Sequence, residues 1–299
     1  MAVKAQVIDG KQTSLDVQEK IRLQVEKDVA SGGKKPHLAA VLVGDNGASQ
    51  TYVNHKVKAC ERVGFLSTLI ELPDSISEEE LLIRIKELNE DNDIDGFIVQ
   101  LPLPDHIDEL KIKMAVAPEK DVDGFHPQNV GRMAMNLPTY LPATPYGIIT
   151  MLEHYNIPTK GKHCVVVGRS QIVGSPMSIL LARNNYPGNA TVTLTHRYSE
   201  NLSEHTLKAD ILVVAVGIPE FITPEMVKEG ATVIDVGITR VKDEKKKSGF
   251  RLKGDVDYNS VAEKAGYITP VPGGVGPMTI ASLLLNTLSA ARKEVYSDK

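Results

Sequence analysis

Over about the first 140 residues, short apolar runs alternate with amphipathic stretches. Apolar positions at helical spacing predict a helix over Ser14–Ala30. The continuous run His37–Val43, closed by Gly44–Asp45–Asn46–Gly47, predicts a buried strand. A helix is expected to start after Ala48–Ser49 and run through Tyr52–Val63. Another covers Ser77–Asn89, where Glu80, three residues after Ser77, completes a capping box, and Gly96–Gln100 is the next strand. The order strand, helix, strand, helix, strand predicts parallel pairing through right-handed crossovers, hence a doubly wound α/β layer.

Pro138, Pro142 and Pro145 crowd a stretch that suits a domain junction better than the interior of a helix or strand. Beyond it, Lys162–Val167 reads as a buried strand, Gly168–Gly174 as a tight loop and Pro176–Arg183 as a helix. Thr191–Thr195, Ile211–Ala215 and Thr232–Asp235 are further strands, and Met278–Arg292 is a closing helix expected to pack back on the first domain. The fold class is therefore α/β, two lobes with a cleft between them, the second a Rossmann-like nucleotide-binding domain. Residues 1–145, joined by a C-terminal helix over 276–299, form the first domain and residues 146–275 the second. Small-molecule sites tend to lie in such clefts.

The length of 299 residues independently favours two domains, because a single core stops growing near this size. With 42% hydrophobic and 24% charged residues the chain is ordinary globular protein, which excludes disordered and fibrous classes. A net charge of −4, from 34 Lys+Arg against 38 Asp+Glu, gives no basic field for nucleic acid or anionic lipid. The run Lys245–Lys247, between Asp243–Glu244 and Ser248–Gly249, reads as a solvated hairpin loop. Cys60 and Cys164 make neither a CxxC pair nor a zinc pattern, so no disulfide framework or metal site is expected. The opening MAVKAQVIDG lacks a signal-peptide pattern, and no stretch approaches the roughly 18 apolar residues that span a bilayer. The expectation is a soluble, cytoplasmic protein without a membrane partner.

The loop Gly168–Arg169–Ser170–Gln171–Ile172–Val173–Gly174 follows an apolar strand and opens a helix, the setting in which backbone N–H groups meet a pyrophosphate. The standard fingerprint places glycines at 168, 170 and 173; here Ser170 and Val173 hold two of those places and Gly174 falls one later. A nucleotide turn and a structural turn both fit. His196–Arg197 stands where an acidic residue would read the free ribose hydroxyl of NAD. A guanidinium there, or that of Arg169, could instead hold the 2′-phosphate of NADP, or simply cover apolar neighbours.

Tyr52 and Lys56, four apart on a predicted helix, share a face. Gln100 should emerge at the carboxyl edge of its sheet, where open α/β folds bind ligands, or cap the strand end. Asp121 and Asp123 offer two carboxylates, or an Asp-Gly turn.

Taken together, five segments strongly resemble methylenetetrahydrofolate dehydrogenase/cyclohydrolase. They are Tyr52–Lys56, Val99–Pro104 (VQLPLP), Pro118–Gly124 (PEKDVDG), Gly168–Gly174 (GRSQIVG) and Pro270–Thr279 (PVPGGVGPMT), and the likeness covers essentially the whole chain in order. The resemblance implies oxidation of 5,10-methylenetetrahydrofolate by a nicotinamide cofactor. Hydrolysis of the methenyl product to 10-formyltetrahydrofolate follows, within one-carbon metabolism and purine biosynthesis. It makes Lys56 the general acid/base of hydrolysis, held and tuned by Gln100 and Tyr52, and gives Asp123 to the pterin, with Asp121 structural. Val99, Leu101, Pro272 and Gly273 join Tyr52, Gln100 and Asp123 along the folate. Gly168, Arg169, Ser170, Val173, His196, Arg197, Ala215, Gly217, Ile238, Gly276 and Thr279 line the cofactor. A homodimer through the nucleotide lobes is also implied.

Pro187–Tyr198 looks like the insertion-bearing region of a mitochondrial branch that uses NAD with phosphate and magnesium, but Asn189 stands where that branch has an aspartate. The missing carboxylate favours NADP, with NAD the alternative cofactor. Two other readings remain: a dehydrogenase of another small substrate, and a catalytically silent cofactor-binding module. A dehydrogenase of amino or hydroxy acids needs a carboxylate-binding Arg and a hydride-coupled acid/base, which the Lys56, Gln100 and Asp123 set does not supply.

Overall fold

Strands without polar alternation must be covered on both faces, and the apolar runs of this chain fold as parallel strands of that kind. The computed structural model describes residues 5–246 and 249–296. Its elements begin β1 (Gln6–Val7), α1 (Gly10–Ala30), β2 (His37–Val43), α2 (Gly47–Val63), β3 (Leu66–Leu72), α3 (Glu78–Glu90), β4 (Gly96–Val99), α4 (Glu109–Ala115), α5 (Pro127–Ala134) and α6 (Ala143–His154). They continue β5 (His163–Val167), α7 (Gly174–Ala182), β6 (Thr191–Thr195), α8 (Leu202–Thr206), β7 (Ile211–Val214), β8 (Thr232–Asp235), β9 (Thr239–Lys242), β10 (Phe250–Lys253), α9 (Tyr258–Val261), β11 (Tyr267–Ile268) and α10 (Val275–Ala291). Lys245 and Lys246 are exposed on the turn of the antiparallel β9–β10 hairpin, while Lys247 and Ser248 lie outside the described residues.

The chain divides into two compact units, one of Leu15–Ala143 with the residues from Ile280 onward, the other of the N-terminus to Ser14 with Thr144–Thr279. In the first, β2 lies between β3 and β4 in a parallel sheet. Ala39 and Val41 of β2 pack with Leu81, Ile85 and Leu88 of α3 and with Phe97 and Ile112 in one apolar cluster. Each of the larger apolar side chains here stabilises the fold by roughly 1.5–3 kcal/mol. The capping box starts α3: the Glu80 amide donates to Ser77 Oγ at 3.2 Å, and the Ser77 amide donates to Glu80 Oε2 at 3.0 Å. The C-terminal helix contributes Asn286, whose Nδ2 donates to the carbonyls of Val122 and Leu141, both at 2.8 Å. That bond pair fixes the backbone next to Asp123.

The second unit has a six-stranded parallel sheet of order β1-β11-β8-β7-β5-β6. Its core is aliphatic, with Val165, Leu212, Val214 and Val233 fully buried. The expected first domain of residues 1–145 therefore begins too early. β1 pairs with β11, the Ile8 amide donates to the Ile268 carbonyl at 2.8 Å, and Ile8 is fully buried. A two-residue strand carries no periodicity from which that pairing could be read. α6 opens inside the proline-rich stretch, where Pro145 occupies the first turn and its missing N–H breaks no helical bond.

Candidate active site

α2 carries Tyr52, Lys56 and Cys60 one turn apart on a single face. Gln100 follows β4 and continues its ladder by donating its amide to the Val41 carbonyl at 2.9 Å, which delivers the side chain at the carboxyl edge of the sheet. There Lys56 Nζ donates to Gln100 Oε1 at 3.0 Å. Gln100 Nε2 donates to the Leu101 carbonyl at 2.7 Å, so the amide is turned with its oxygen toward the lysine.

Burial pushes the Lys56 amine below the ordinary lysine range, against the opposing pull of Asp123 and Cys60. Asp123 is pushed up by burial and brought partly back by Lys56 and Lys113. Both shifts are in the direction that burial imposes, against the mutual attraction of the two groups. Cys60 is fully buried and its thiol is pushed up to about 12, which makes it packing and not a nucleophile.

Asp121 fixes the turn that presents Asp123. Its Oδ2 accepts from the His126 amide at 2.7 Å and from Asn129 Nδ2 at 2.9 Å, while the Gly124 amide donates to the Asp121 carbonyl at 3.0 Å. Asn129 is held in turn by the hydroxyls of Thr139 at 2.9 Å and Tyr296 at 2.7 Å. Beside this turn lies a cavity of about 30 Å³ lined by Val99, Leu101, Lys113, Asp121 and Asp123 among others, room for about one water. Lys113 is absent from the residues singled out in the sequence. The signal that could have found it is the cap at Asp108, which starts α4 and sets which of its positions face inward. Tyr52 is exposed, and among the described residues it is not bonded to Lys56 or Gln100.

In the other unit, the carboxyl ends of β5, β6, β7 and β8 carry Gly168, His196, Ala215 to Gly217, and Val236 to Ile238. Gly168 has φ +110°, and a Cβ on it would fall 2.2 Å from the Ala215 carbonyl oxygen. A Cβ on Gly174 would fall 1.8 Å from the Gly168 oxygen. These two glycines allow the tight turn and the close helix approach of a nucleotide loop. Ser170, in a fingerprint glycine's place, closes the loop instead, its Oγ accepting from the Val173 amide at 3.1 Å.

Arg197 donates to the Tyr198 hydroxyl at 2.6 Å and lies 4.7 Å from its ring centre, and Arg169 lies 5.9 Å from the same ring. The two guanidiniums thus gather about one aromatic side chain at the end of β6, a donor set that fits a phosphate. Pro272 is exposed, the Gly273 carbonyl accepts from the Lys11 amide at 2.9 Å, and Thr279 Oγ1 donates to the Gly276 carbonyl at 2.7 Å. Gly276 faces open space. Asn189 donates through Nδ2 to the Asn185 carbonyl at 2.9 Å, and among the described residues no cluster of three or more His, Cys, Asp or Glu could hold a metal.

The family model for the tetrahydrofolate dehydrogenase/cyclohydrolase catalytic domain matches residues 8–123, and that for the family's NAD(P)-binding domain matches residues 142–295. The chain belongs to the tetrahydrofolate dehydrogenase/cyclohydrolase family. It is 66% identical over 286 residues to the bifunctional protein FolD of Cytophaga hutchinsonii, covering 96% of this chain and 99% of that one. The FolD methylenetetrahydrofolate dehydrogenase/cyclohydrolase of Campylobacter jejuni has a similar structure, with a TM-score of 0.91 and 44% identity over 97% of this chain and 99% of that one. The FolD of Trypanosoma brucei, solved with NADP cofactor and an inhibitor, gives a TM-score of 0.92 and 37% identity over 99% and 100%. Membership makes this chain a bifunctional enzyme of one-carbon metabolism, a methylenetetrahydrofolate dehydrogenase and a methenyltetrahydrofolate cyclohydrolase. Among the described residues no helix is long and apolar enough to cross a membrane.

Proposed function

We propose that this enzyme oxidises 5,10-methylenetetrahydrofolate with NADP and that Lys56 is the acid/base that hydrolyses the methenyl product to 10-formyltetrahydrofolate. The observation that carries this reading is the 3.0 Å bond from Lys56 to a glutamine oxygen, beside a buried carboxylate. A lysine lowered by burial is neutral in a larger fraction of molecules at neutral pH and can take a proton from water. That water forms its bond to the bridging carbon of the methenyl cation. The carbinol O–H then loses its proton to solvent as the formyl C=O forms and the C–N5 bond breaks, and the Lys56 ammonium returns the first proton to N5. Gln100 orients the amine without a negative charge that would keep it protonated.

Asp123 accepts from the ring N–H and amino groups of the pterin, with Tyr52, Val99, Leu101, Pro272 and Gly273 along the folate. Gly168, Arg169, Ser170, Val173, His196, Arg197, Ala215, Gly217, Ile238, Gly276 and Thr279 hold the cofactor, Arg169 and Arg197 taking the 2′-phosphate. Held there, NADP would supply the hydride acceptor for the methylene carbon, and the chain's own task is alignment. Residues 15–143 then carry Lys56, Gln100 and Asp123 for folate chemistry, and residues 144–279 the nucleotide site together with Pro272 and Gly273. The resemblance supports a homodimer through the nucleotide units, which light scattering tests. The two unpaired buried cysteines are in keeping with a cytoplasmic location.

A time course of methylenetetrahydrofolate consumption, with NADP and NAD offered separately, tests the reading. Reduced cofactor, methenyl and 10-formyl products should all form with NADP. Turnover with NAD alone would overturn the cofactor assignment, and no turnover with either would overturn the substrate assignment.

A further inference from the structure

Asp255 lies directly after Gly254, at the end of β10, and is fully buried. Its Oδ2 accepts from the Val216 amide at 2.7 Å and the Gly217 amide at 2.9 Å, in the loop that leaves β7. Asp235, the last residue of β8, grips the same region from the other side. Its Oδ1 accepts from the amides of Gly237 at 2.9 Å and Asp255 at 2.8 Å, and its Oδ2 accepts from the Val256 amide at 3.0 Å. Thr269 Oγ1 in turn accepts from the Asp235 amide at 2.7 Å. Side-chain carboxyls therefore tie together two loops, Ala215 to Gly217 and Val236 to Ile238, that otherwise diverge from adjacent strands.

The sequence around this clamp is shaped by it. A Cβ on Gly237 would fall 2.2 Å from Asp255 Oδ1, and one on Gly254 would fall 1.9 Å from Asp235 Oδ2. Asp255 Oδ1 is buried and, among the described residues, has no hydrogen-bond partner. Leaving such an oxygen unpaired is unfavourable, so an apolar filler would serve stability better. The arrangement is explained by what the other oxygen does. Farther along the same loop, backbone bonds suffice: the Glu220 amide donates to the Gly254 carbonyl at 3.0 Å and the Ile222 amide to the Asp255 carbonyl at 2.9 Å. Val216 and Gly217 alone depend on the carboxylate, and Gly217 is exposed with φ +72°.

We propose that Asp255, braced by Asp235, is a positioning residue for the nicotinamide cofactor, holding the Val216–Gly217 backbone in the shape that the cofactor needs. This inference rests on the reading that Ala215, Gly217 and Ile238 line the cofactor site. It also sorts the substitutions at 255 by their capacity to accept two N–H bonds: Asn keeps an oxygen that can, and Ala keeps none.

The test is NADP affinity by fluorescence titration together with amide hydrogen exchange on the full-length, cofactor-free protein. Asp255→Ala should weaken NADP binding by about tenfold or more and speed exchange at Val216 and Gly217 while Glu220 and Ile222 keep their protection. Asp255→Asn should restore most of both properties. Methenyl hydrolysis, which consumes no nicotinamide, reports whether each variant is folded. If Asp255→Ala fails to fold, Asp255→Leu, which keeps the shape and has no acceptor, carries the same measurement with the same expected losses. Wild-type affinity, or unchanged exchange at Val216 and Gly217, in whichever of the two acceptor-free variants folds would overturn the proposal. Gly217→Val separates the two ideas: if it binds NADP like the wild type, the cofactor placement itself is wrong.

Discussion

Lys56 donates to the Gln100 side-chain oxygen at 3.0 Å, and Gln100 commits its amide nitrogen to the Leu101 carbonyl, so the lysine meets an acceptor with no charge. Gln100→Glu keeps the shape and adds a carboxylate at that distance, which favours the ammonium. Cyclohydrolase activity at neutral pH should fall by about tenfold or more, and its pH profile should move to higher pH. An unchanged profile would mean that Lys56 does not titrate in the hydrolytic step.

Asp123 is kept toward its carboxylate form by two cations, Lys56 and Lys113. Lys56 must be neutral before it can act as a base, so it is an intermittent cation beside Asp123 and Lys113 is the steadier partner. Lys113→Met should raise the Asp123 pKa further and weaken folate binding several-fold on the acidic side while changing it little at alkaline pH. The pH dependence of the folate KM checks this.

Arg197 and Arg169 both lie over Tyr198. Replacing Arg197 by Ser removes one charge-assisted contact, worth about 1.5–3 kcal/mol, so the KM for NADP should rise roughly 10–100-fold and that for NAD should stay nearly constant. Equal losses for both cofactors would place Arg197 away from the 2′-phosphate.

Burial pushes Asp121 up to about 7, well above its value in an unfolded chain. A carboxyl of this kind stabilises the fold most fully below about pH 4, and that contribution is lost as pH rises through the folded value, because the unfolded chain releases the proton first. Asp121→Asn keeps an acceptor for His126 and Asn129 and cannot ionise. Denaturant melts from pH 4 to 8 should show a flatter stability profile in the variant, with the two proteins most alike at the acid end.

β2, β4, β5, β7 and β8 were legible because each is an apolar run, and α3 because Ser77 and Glu80 are visible as a pair three residues apart, whereas β3, broken by Ser67, Thr68 and Glu71, was missed. β1 was missed as well, since two residues hold no period and its partner β11 lies far along the chain. Helix starts at Gly10, Gly174 and Val275 fell earlier than expected, inside glycine-containing turns that local propensity reads as loop. At the site, Lys56 and Gln100 were placed by helix face and strand end, features that sequence spacing encodes. Lys113, Asp235 and Asp255 were missed because their roles depend on which backbone or side chain folds against them. An acidic residue in a Gly-Asp-Val stretch looks like any turn until its carboxylate is seen bonded to Val216 and Gly217.

The most direct test follows both activities in Lys56→Ala, supplied first with methylenetetrahydrofolate and NADP and then with the methenyl compound alone. Hydrolysis should fall by about 10²–10⁴-fold while NADP is still reduced, so that methenyltetrahydrofolate accumulates. Hydrolysis at the wild-type rate would contradict the assignment of Lys56 as the acid/base of this enzyme.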